Sequence, residues 1–300
     1  MITRILLLTL ATFIWGMGFV GTRWTLNAYS PYWSNALRFL FAGILSLPIL
    51  IFYKTHRRPK NDLYKAVICS LALGLGLGLQ TMGIKHTSLA KSGFLTTFYA
   101  IFTPLLAWGF LNKHFRKSYW FLVGLSLIGV FFLCDLEFER FNNGDFYILV
   151  SAILFSIHIL LLDRFANDFN SLELNGLQCL FIGLGSCFIG ATIDSFPSFA
   201  PLISLDQAGG RQVVLGFLIL SVFSSFIAFS IQIYVQKDMA PHIVSLIFLM
   251  ESVFATAFGF LFFDETISRL GLFGCFLVLL SVSLIPKLTN PKKQREISDV

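Results

Sequence analysis

Three ionisable side chains, those of Glu251, Arg38 and His158, stand inside long apolar stretches of the sequence. A charged group at the centre of a bilayer costs roughly 2.5–3.5 kcal/mol on insertion scales, so each one needs a partner, a proton or water. Glu251 could carry a proton or face a cationic or amine group, and it could equally form a structural pair or stay neutral. Arg38 could pair with Glu251, bind a carboxylate or extend to the membrane surface. His158 could relay protons or form a packing hydrogen bond.

Uncharged polar and aromatic residues form a second set of candidates. Ser92, Thr96 and Tyr99 follow the spacing i, i+4, i+7 and therefore share one helical face. Two glutamines stand in other apolar stretches, and a tryptophan near the N-terminus could stack on a bound molecule or pack inside the protein. Hydrogen bonding between helices is the alternative role of the polar residues. The predicted substrate-binding or coupling site comprises Glu251, Arg38, Gln80, Gln232, Trp15, Tyr99, Ser92, Thr96 and His158.

These candidates belong to a chain with the composition of a membrane protein. Its 300 residues are 56% hydrophobic and only 13% charged, and the mean hydropathy is +0.78. A helix needs roughly 20 apolar residues to cross a hydrocarbon core about 30 Å thick, and the charge-poor runs of this sequence have such lengths. We therefore predict an all-α integral membrane protein with ten transmembrane helices. Their approximate positions are residues 5–24, 32–53, 66–84, 92–111, 118–134, 146–162, 173–193, 213–235, 243–263 and 270–286.

The distribution of lysine and arginine predicts how these helices are oriented. Basic residues concentrate between the second and third predicted helices, between the fourth and fifth, and after the tenth. Cytoplasmic segments of membrane proteins carry such an excess, so both termini are expected in the cytoplasm, with the protein in a bacterial inner membrane. The net charge of +6 is therefore assigned to topology and not to nucleic-acid binding. The first apolar run is expected to be a retained helix and not a signal peptide, because nine further spans follow it.

Glycine and cysteine positions favour close packing over a cofactor or metal site. Gly74 and Gly78 form a G-x-x-x-G pattern, which lets two membrane helices approach closely. The same stretch does not fit a dinucleotide-binding motif, which would need glycine in place of Leu79. The five cysteines form no C-x-x-C pair and lie in or near predicted helices, so neither disulfides nor a metal is expected.

The two halves of the chain match after a nearly constant shift, which predicts an internal repeat. A shift of 140 residues places Asn35 on Asn175, and a shift of 152 places Gln80 on Gln232. Each half has five predicted helices, and since five is odd, the second half would cross the membrane in the inverted orientation. Inverted repeats are typical of secondary transporters. The predicted segments are a first repeat at residues 1–140, a second repeat at 141–290 and a basic cytoplasmic tail at 291–300.

Three stretches carry a family resemblance: GIKHTSLAKSGFLTTFYAIFTPLLAW at residues 83–108, FFDETISRLGLFG at 262–274, and FIWG at 13–16. With these stretches the chain resembles the EamA-like transporters of the drug/metabolite transporter superfamily over nearly its whole length. The resemblance implies ten helices around a central cavity and secondary transport of small metabolites, often amino acids or their relatives and frequently outward. The chain departs from the family at Ser252, where proline is common, and at 112–114, where members often carry a glutamate.

Together these features predict a secondary-active transporter that moves a small metabolite by alternating access around a central cavity. An amino acid, a related compound or a drug-like molecule is the expected substrate, and export is the favoured direction. A lipid-like or nucleotide-derived substrate is the alternative, and a non-transporting membrane receptor is a third hypothesis. An enzyme is not expected, since the sequence lacks H-E-x-x-H, G-x-S-x-G and P-loop motifs. The protein is expected to function as a monomer embedded in the lipid bilayer, without a cofactor or a nucleic-acid partner.

Overall fold

A computed structural model describes residues 1–52, 62–133, 141–204 and 208–288. Every regular element within these ranges is helical, and none of them is a strand. The protein is therefore an all-α integral membrane protein, as its composition predicts. The predicted basic tail at 291–300 lies outside the described residues, as do Tyr53 and Cys134 at the ends of two predicted helices.

The helices follow one another with short connections. In chain order they are α1 (Ile2–Leu26), α2 (Pro31–Phe52), α3 (Leu63–Ile84), α4 (Leu89–Thr96), α5 (Tyr99–Leu111), α6 (Lys117–Leu133), α7 (Asn143–Phe165), α8 (Ser171–Ile193), α9 (Ala200–Ile203), α10 (Ala208–Leu218), α11 (Phe229–Gln236), α12 (Pro241–Phe248), α13 (Met250–Phe263) and α14 (Arg269–Leu288). A 3₁₀ turn follows α7 at Ala166–Asp168, and a π-helical segment at Ile219–Ala228 joins α10 to α11. The described part of the chain contains nine helical segments long and apolar enough to span a membrane, and the apolar helix α6 is shorter, at 17 residues.

Three of the long helical segments are interrupted near their middle. Thr97 and Phe98 separate α4 from α5, and Leu249 separates α12 from α13. The third interruption is the π-helical segment, which continues from α10 into α11. Leu249 lies 152 residues after Thr97, which is the shift that the sequence predicts between the two halves. Interrupted and π-helical turns inside membrane helices are frequent where a polar site is built.

Pro104 lies inside α5 and leaves one backbone acceptor without its helical partner. Proline has no N–H, so the carbonyl four residues earlier, that of Ala100, receives no helical hydrogen bond from it. The hydroxyl of Tyr119 on α6 donates a hydrogen bond to this carbonyl oxygen at 3.0 Å. The contact satisfies a group that lipid could not pair, and it ties α6 to α5.

The interface between α2 and α8 is built from small residues that contact each other reciprocally. A methyl group added at Gly43 would lie 2.7 Å from the side chain of Leu180, and one added at Gly183 would lie 2.8 Å from the backbone nitrogen of Leu40. Each residue of the first pair lies 140 positions from a residue of the second. The two helices are therefore in close contact along a seam that looks the same from either side.

The interface between α6 and α14 has the same reciprocal character. A methyl group added at Gly129 would lie 2.7 Å from the carbonyl oxygen of Gly274. Shifting both positions by 152 residues in opposite directions gives Ser281 and Leu122, and the Ser281 hydroxyl donates to the Leu122 carbonyl at 2.9 Å. Contacts of this kind are what two halves related by a twofold rotation would make. The inverted repeat itself stays a prediction.

The packing of α3 differs from the prediction made for its glycines. A methyl group added at Gly74 would lie 3.1 Å from Ile182 of α8, but one added at Gly78 would have no atom of the described residues within 4 Å. The predicted close approach through both glycines is therefore wrong. Gly76 faces α7 instead, where an added methyl group would lie 2.8 Å from the ring of Phe155. The narrow side of α3 is the side toward α7.

Ion pairs between helix ends show which ends share a membrane face. Arg4, near the start of α1, pairs with Asp238, just after α11, at 2.7 Å. Lys65, near the start of α3, pairs with Asp168, just after α7, at 2.6 Å. The Lys237 ammonium, next to Asp238, donates to the carbonyl of Phe169, next to Asp168, at 2.6 Å, so both ion pairs lie on one side, which we call the N-terminal face. Since α1 and α3 begin there, both end on the opposite face, and α7 and α11 run the other way.

Candidate functional site

A cavity lies inside the helix assembly, next to the interruptions of α4–α5 and α12–α13. About 600 Å³ of space between atoms belongs to it, part of which is open to solvent. Aromatic, aliphatic and polar side chains together form its wall. They belong to Trp15, Gly18, Phe19, Thr22, Arg38, Leu73, Leu77, Gln80, Ile84, Thr96, Tyr99, Phe155, His158, Ile159, Ser224, Phe229, Gln232, Phe248 and Glu251.

The structure brings eight of the nine predicted site residues to this cavity. They are Trp15, Arg38, Gln80, Thr96, Tyr99, His158, Gln232 and Glu251. Ser92 does not line it, and its hydroxyl donates to the carbonyl of Ser88 at 2.8 Å within the first turn of α4. Ser92 shares a helical face with Thr96 but stands one turn nearer the membrane surface. Its contacts therefore fit helix stabilisation.

Arg38 of α2 is held by two consecutive serines of the π-helical segment. Its Nε donates to Ser225 Oγ at 2.7 Å, and its Nη2 donates to Ser224 Oγ at 2.9 Å. The guanidinium also stands over the ring of Phe39, 4.9 Å from the centroid. Only 5% of Arg38 is exposed, so it does not extend to the membrane surface. The arrangement fixes a positive charge in the cavity wall.

The expected pair between Arg38 and Glu251 does not form. Among the described residues, no carboxylate oxygen lies within 4.0 Å of the guanidinium nitrogen atoms. Glu251 instead accepts a long hydrogen bond, 3.4 Å, from the hydroxyl of Tyr99. It is half-buried and stands in the first turn of α13, just after the interruption at Leu249. The positive end of the α13 dipole therefore favours a carboxylate at this position.

Tyr99 and Glu251 occupy matching places in the two halves. Tyr99 opens α5 after one helix interruption, and Glu251 stands in the opening turn of α13 after the other. They lie 152 residues apart, and their side chains meet at the cavity wall. Two matching positions that touch each other must lie close to any axis that relates the halves.

The two matching glutamines, Gln80 and Gln232, have different partners. Gln80 Nε2 donates to Thr96 Oγ1 at 3.1 Å, which joins α3 to α4. Gln232 Nε2 donates to Gln236 Oε1 at 2.7 Å. Gln236 Nε2 in turn donates to the carbonyl of Ile159 at 3.0 Å, which joins α11 to α7. The Gln80 bond lies within the first half of the chain, and the bonds of Gln232 and Gln236 both lie within the second half.

His158 of α7 is 2% exposed, and its Nε2 lies 2.8 Å from Oε1 of Gln178 on α8. This contact is the packing hydrogen bond that was one of its two expected roles. Gln178 lies 140 residues after Arg38, so the second half has an amide where the first has a guanidinium. The matching positions of the two halves therefore differ in charge here.

Trp15 of α1 belongs to an aromatic wall. Its ring centroid lies 5.1 Å from that of Phe229 and 4.9 Å from that of Phe248, with the second contact edge to face. The indole Nε1 of Trp15 is buried and has no hydrogen-bond partner among the described residues. An unpaired buried donor is unfavourable.

Sequence reasoning missed much of the aromatic wall. Phe155, Phe229 and Phe248 stand in apolar runs, where 35 phenylalanines give no contrast between wall and lipid contact. The predicted repeat contained the signal for two of them. Phe155 lies 140 residues after Trp15, and Phe248 lies 152 residues after Thr96. A lining residue in one half therefore indicates a lining residue in the other.

The side chains at the cavity are suited to recognition. One guanidinium, one carboxyl group, two glutamine amides and several aromatic faces can bind a small molecule through charge, hydrogen bonds and stacking. Within the ranges that the structure describes, no group of three His, Cys, Asp or Glu side chains could hold a metal ion.

Comparison with known proteins gives the class of this protein. Membrane-spanning helices that enclose a polar cavity are the architecture of a transporter, and one transporter family matches the chain. The model of the EamA-like transporter family matches residues 2–134 and residues 142–286. The chain belongs to the EamA-like transporter family.

Individual relatives are similar over most of their length. An uncharacterised transporter of Archaeoglobus fulgidus is 28% identical over 278 residues, which cover 93% of this chain and 84% of the relative. An S-adenosylmethionine/S-adenosylhomocysteine transporter of Chlamydia muridarum is 23% identical over 302 residues, covering 94% and 91%. An S-adenosylmethionine uptake transporter of Rickettsia bellii is 21% identical over 187 residues, covering 62% and 64%. One crystal structure superposes with a TM-score of 0.76 over 95% of this chain and 97% of its own, at 16% identity, and so supports the fold.

Proposed function

We propose that this protein is a secondary-active transporter that moves a small metabolite, an amino acid or a related compound, by alternating access around the cavity. The observation that carries the proposal is that matching positions of the two halves line the cavity together. In transporters built from inverted repeats, the substrate site lies between the repeats. The matching lining pairs are Trp15 and Phe155, Gly18 and His158, Phe19 and Ile159, Leu77 and Phe229, Gln80 and Gln232, Thr96 and Phe248, and Tyr99 and Glu251.

The charged groups of the cavity favour a substrate that carries both signs of charge. Arg38 offers guanidinium N–H groups beyond the two used by Ser224 and Ser225, and it binds a substrate carboxylate. Glu251, whose one described hydrogen bond is the long contact to Tyr99, faces an amine or exchanges a proton that couples transport to a gradient. A zwitterion satisfies both groups at once.

Neutral groups orient the rest of the substrate. Gln80 and Gln232 offer amide groups on two sides of the cavity, and the ring of Trp15 offers an aromatic surface. His158 stays with Gln178 and shapes the wall. In this proposal Ser92 is a helix-stabilising residue and not a substrate ligand.

We propose the same orientation that the basic residues predict, with both termini in the cytoplasm of a bacterial cell and the protein in its inner membrane. One chain with its two repeats forms the transport unit. Export is the proposed direction, on the ground of the family resemblance. The two repeats fall at residues 1–140 and 141–290, a division supported by the separate family matches to each part.

A nucleotide-derived metabolite is the second candidate substrate, and the aromatic wall favours it. Trp15, Phe229 and Phe248 present ring surfaces beside the polar groups, which suits a molecule with a planar base and an amino-acid part. The names of the relatives from Chlamydia and Rickettsia include S-adenosylmethionine, a compound with both features. S-Adenosylmethionine is therefore a suitable labelled probe for the first transport assays.

The test compares metabolites inside and outside bacterial cells that express wild type, Glu251→Gln or Ser92→Ala, at two external pH values, with labelled S-adenosylmethionine as an added arm. We expect one class of metabolite to redistribute with wild type and with Ser92→Ala and to stay in place with Glu251→Gln. Equal redistribution by all three proteins would remove Glu251 from the mechanism. If nothing redistributes in cells that contain folded, inserted protein, the proposal of metabolite transport is wrong.

A further inference from the structure

The cavity reaches different depths toward the two membrane faces. Toward the face opposite the N-terminal face, its lining extends to Thr22 on α1 and to Ile84, the last residue of α3. The predicted shifts of 140 and 152 residues assign Leu162 and Gln236 as their counterparts in the second half. Both counterparts are buried, at 0% and 2% exposure, and neither lines the cavity. The cavity therefore extends less far toward the N-terminal face than toward the opposite face.

A chain of hydrogen bonds closes that end. Gln232 Nε2 donates to Gln236 Oε1 at 2.7 Å, and Gln236 Nε2 donates to the carbonyl of Ile159 at 3.0 Å. Gln232 and Ile159 both line the cavity, so this chain forms its floor and joins α11 to α7. The contact between α7 and α11 continues beyond the ends of both helices, where the Lys237 ammonium donates to the carbonyl of Phe169 at 2.6 Å.

The corresponding contact near the opposite face has a different chemistry. In the first half of the chain, Ile84 is the counterpart of Gln236, and Phe19 is the counterpart of Ile159. Ile84 and Phe19 belong to one buried apolar cluster. An apolar contact has no preferred angle or partner atom, whereas the two ends of a glutamine amide are satisfied in one geometry. The contact of Gln236 with Ile159 is therefore fixed by hydrogen-bond geometry, whereas the matching contact of Ile84 with Phe19 depends on apolar packing alone.

We propose that Gln236 is a gating residue whose hydrogen bond to Ile159 latches the transporter shut at the N-terminal face, so that this conformation is the resting state. The inference rests on the proposed alternating access and adds the element that sets which side is closed. Opening toward the N-terminal face requires that the amide of Gln236 releases the Ile159 carbonyl. Closure at the opposite face then brings Ile84 and Phe19 together more tightly, since the two openings exclude each other.

Hydrogen–deuterium exchange of the purified protein in lipid nanodiscs, with no substrate added, tests the latch. Gln236→Met keeps the volume but removes both hydrogen bonds. We expect exchange about tenfold faster in segments 159–169 and 232–240 of the N-terminal face, and slower in segments 19–30 and 84–92 of the opposite face. Gln80→Met loses the hydrogen bond between α3 and α4 and leaves both bonds of Gln236 in place, so this control should change neither pair of segments in this reciprocal way.

The reciprocal slowing separates a gate from a merely structural contact. Faster exchange near Gln236 with no slowing at the opposite face would overturn the proposal, and so would unchanged exchange. A second variant, Ile84→Gln, introduces an amide at the opposite seam and should shift exchange in the same direction as Gln236→Met. Because no substrate is involved, loss of reciprocity refutes the latch even if metabolites are transported, and reciprocity supports it even if the expected metabolites are not.

Discussion

Removing the two serine partners of Arg38 should cost more stability than removing Arg38 itself, although both changes remove the same two hydrogen bonds. The double variant Ser224→Ala/Ser225→Ala removes both acceptors from the guanidinium but leaves the buried charge in place. Each hydrogen bond from a charged donor contributes about 1.5–3 kcal/mol, so the loss of both costs about 3–6 kcal/mol when nothing replaces them. Water in the cavity replaces part of this, and we expect a loss of about 3 kcal/mol in the free energy of unfolding.

Arg38→Met should cost much less than the double serine variant. It removes the charge together with its need for partners, and the two serine hydroxyls can donate to carbonyls of their own helix. The triple variant should therefore recover most of the stability that the double variant loses. On the scale of about 2–4 °C for each kcal/mol, the double variant should melt about 6–12 °C below wild type.

The assay is thermal unfolding in detergent, followed by the fluorescence of a C-terminal fusion protein on size exclusion. Wild type, the double serine variant, Arg38→Met and the triple variant are heated in parallel, and their melting temperatures are compared. The reasoning is refuted if the double serine variant melts with wild type while Arg38→Met melts far below it. That result would mean that the guanidinium is held by something other than Ser224 and Ser225.

Three further predictions concern the scaffold. Gly183→Ala should lower the free energy of unfolding by about 1–3 kcal/mol, because the added methyl group meets the backbone of the facing helix α2. Gly78→Ala should be neutral or slightly stabilising, because the added methyl group meets no described atom and alanine favours the helix. Thermal unfolding compares the two variants. Tyr119→Phe should cost about 1–3 kcal/mol in the same assay, because it leaves the carbonyl of Ala100 unpaired. Burial raises the pKa of Glu265 in the loop after α13, so its contribution to stability is complete below the ordinary carboxyl pKa and falls as the pH rises through the raised value. Glu265→Gln should remove the part of the pH dependence of the melting temperature that lies between the ordinary carboxyl pKa and the raised one.

Much of the helix pattern could be predicted because lipid imposes strict lengths. Residues 5–24 and 173–193, for example, lie within the helices α1 and α8 that the structure contains. Lipid cannot pair free backbone groups, so long apolar runs leave helices as the available structure. The interruptions at Thr97 and Leu249 could not be predicted in this way, because no glycine or proline stands at either break to mark it.

The site was predictable where a polar residue contrasts with an apolar run. Glu251, Arg38 and the two glutamines were identified on that contrast, and all of them line one cavity. Their partners were not predictable. The pairing of Arg38 with serines depends on the π-helical segment, and no feature of the local sequence predicts that geometry. The predicted pair of Arg38 with Glu251 therefore did not take the serines into account.

Filling the cavity tests most directly the claim that it is the transport pathway. Gly18 lines the cavity, and the nearest atom to an added methyl group there is the Ser224 hydroxyl oxygen at an ordinary contact distance of 3.5 Å, so leucine would add its bulk at the cavity wall beside Ser224. Gly78→Leu is the matched control, since Gly78 has open space around it and does not line the cavity. The measurement is the rate at which cells expressing each folded variant redistribute the metabolite that wild type moves. The account predicts at least a tenfold loss for Gly18→Leu and a rate near wild type for Gly78→Leu, and a Gly18→Leu protein that transports at the wild-type rate would contradict it.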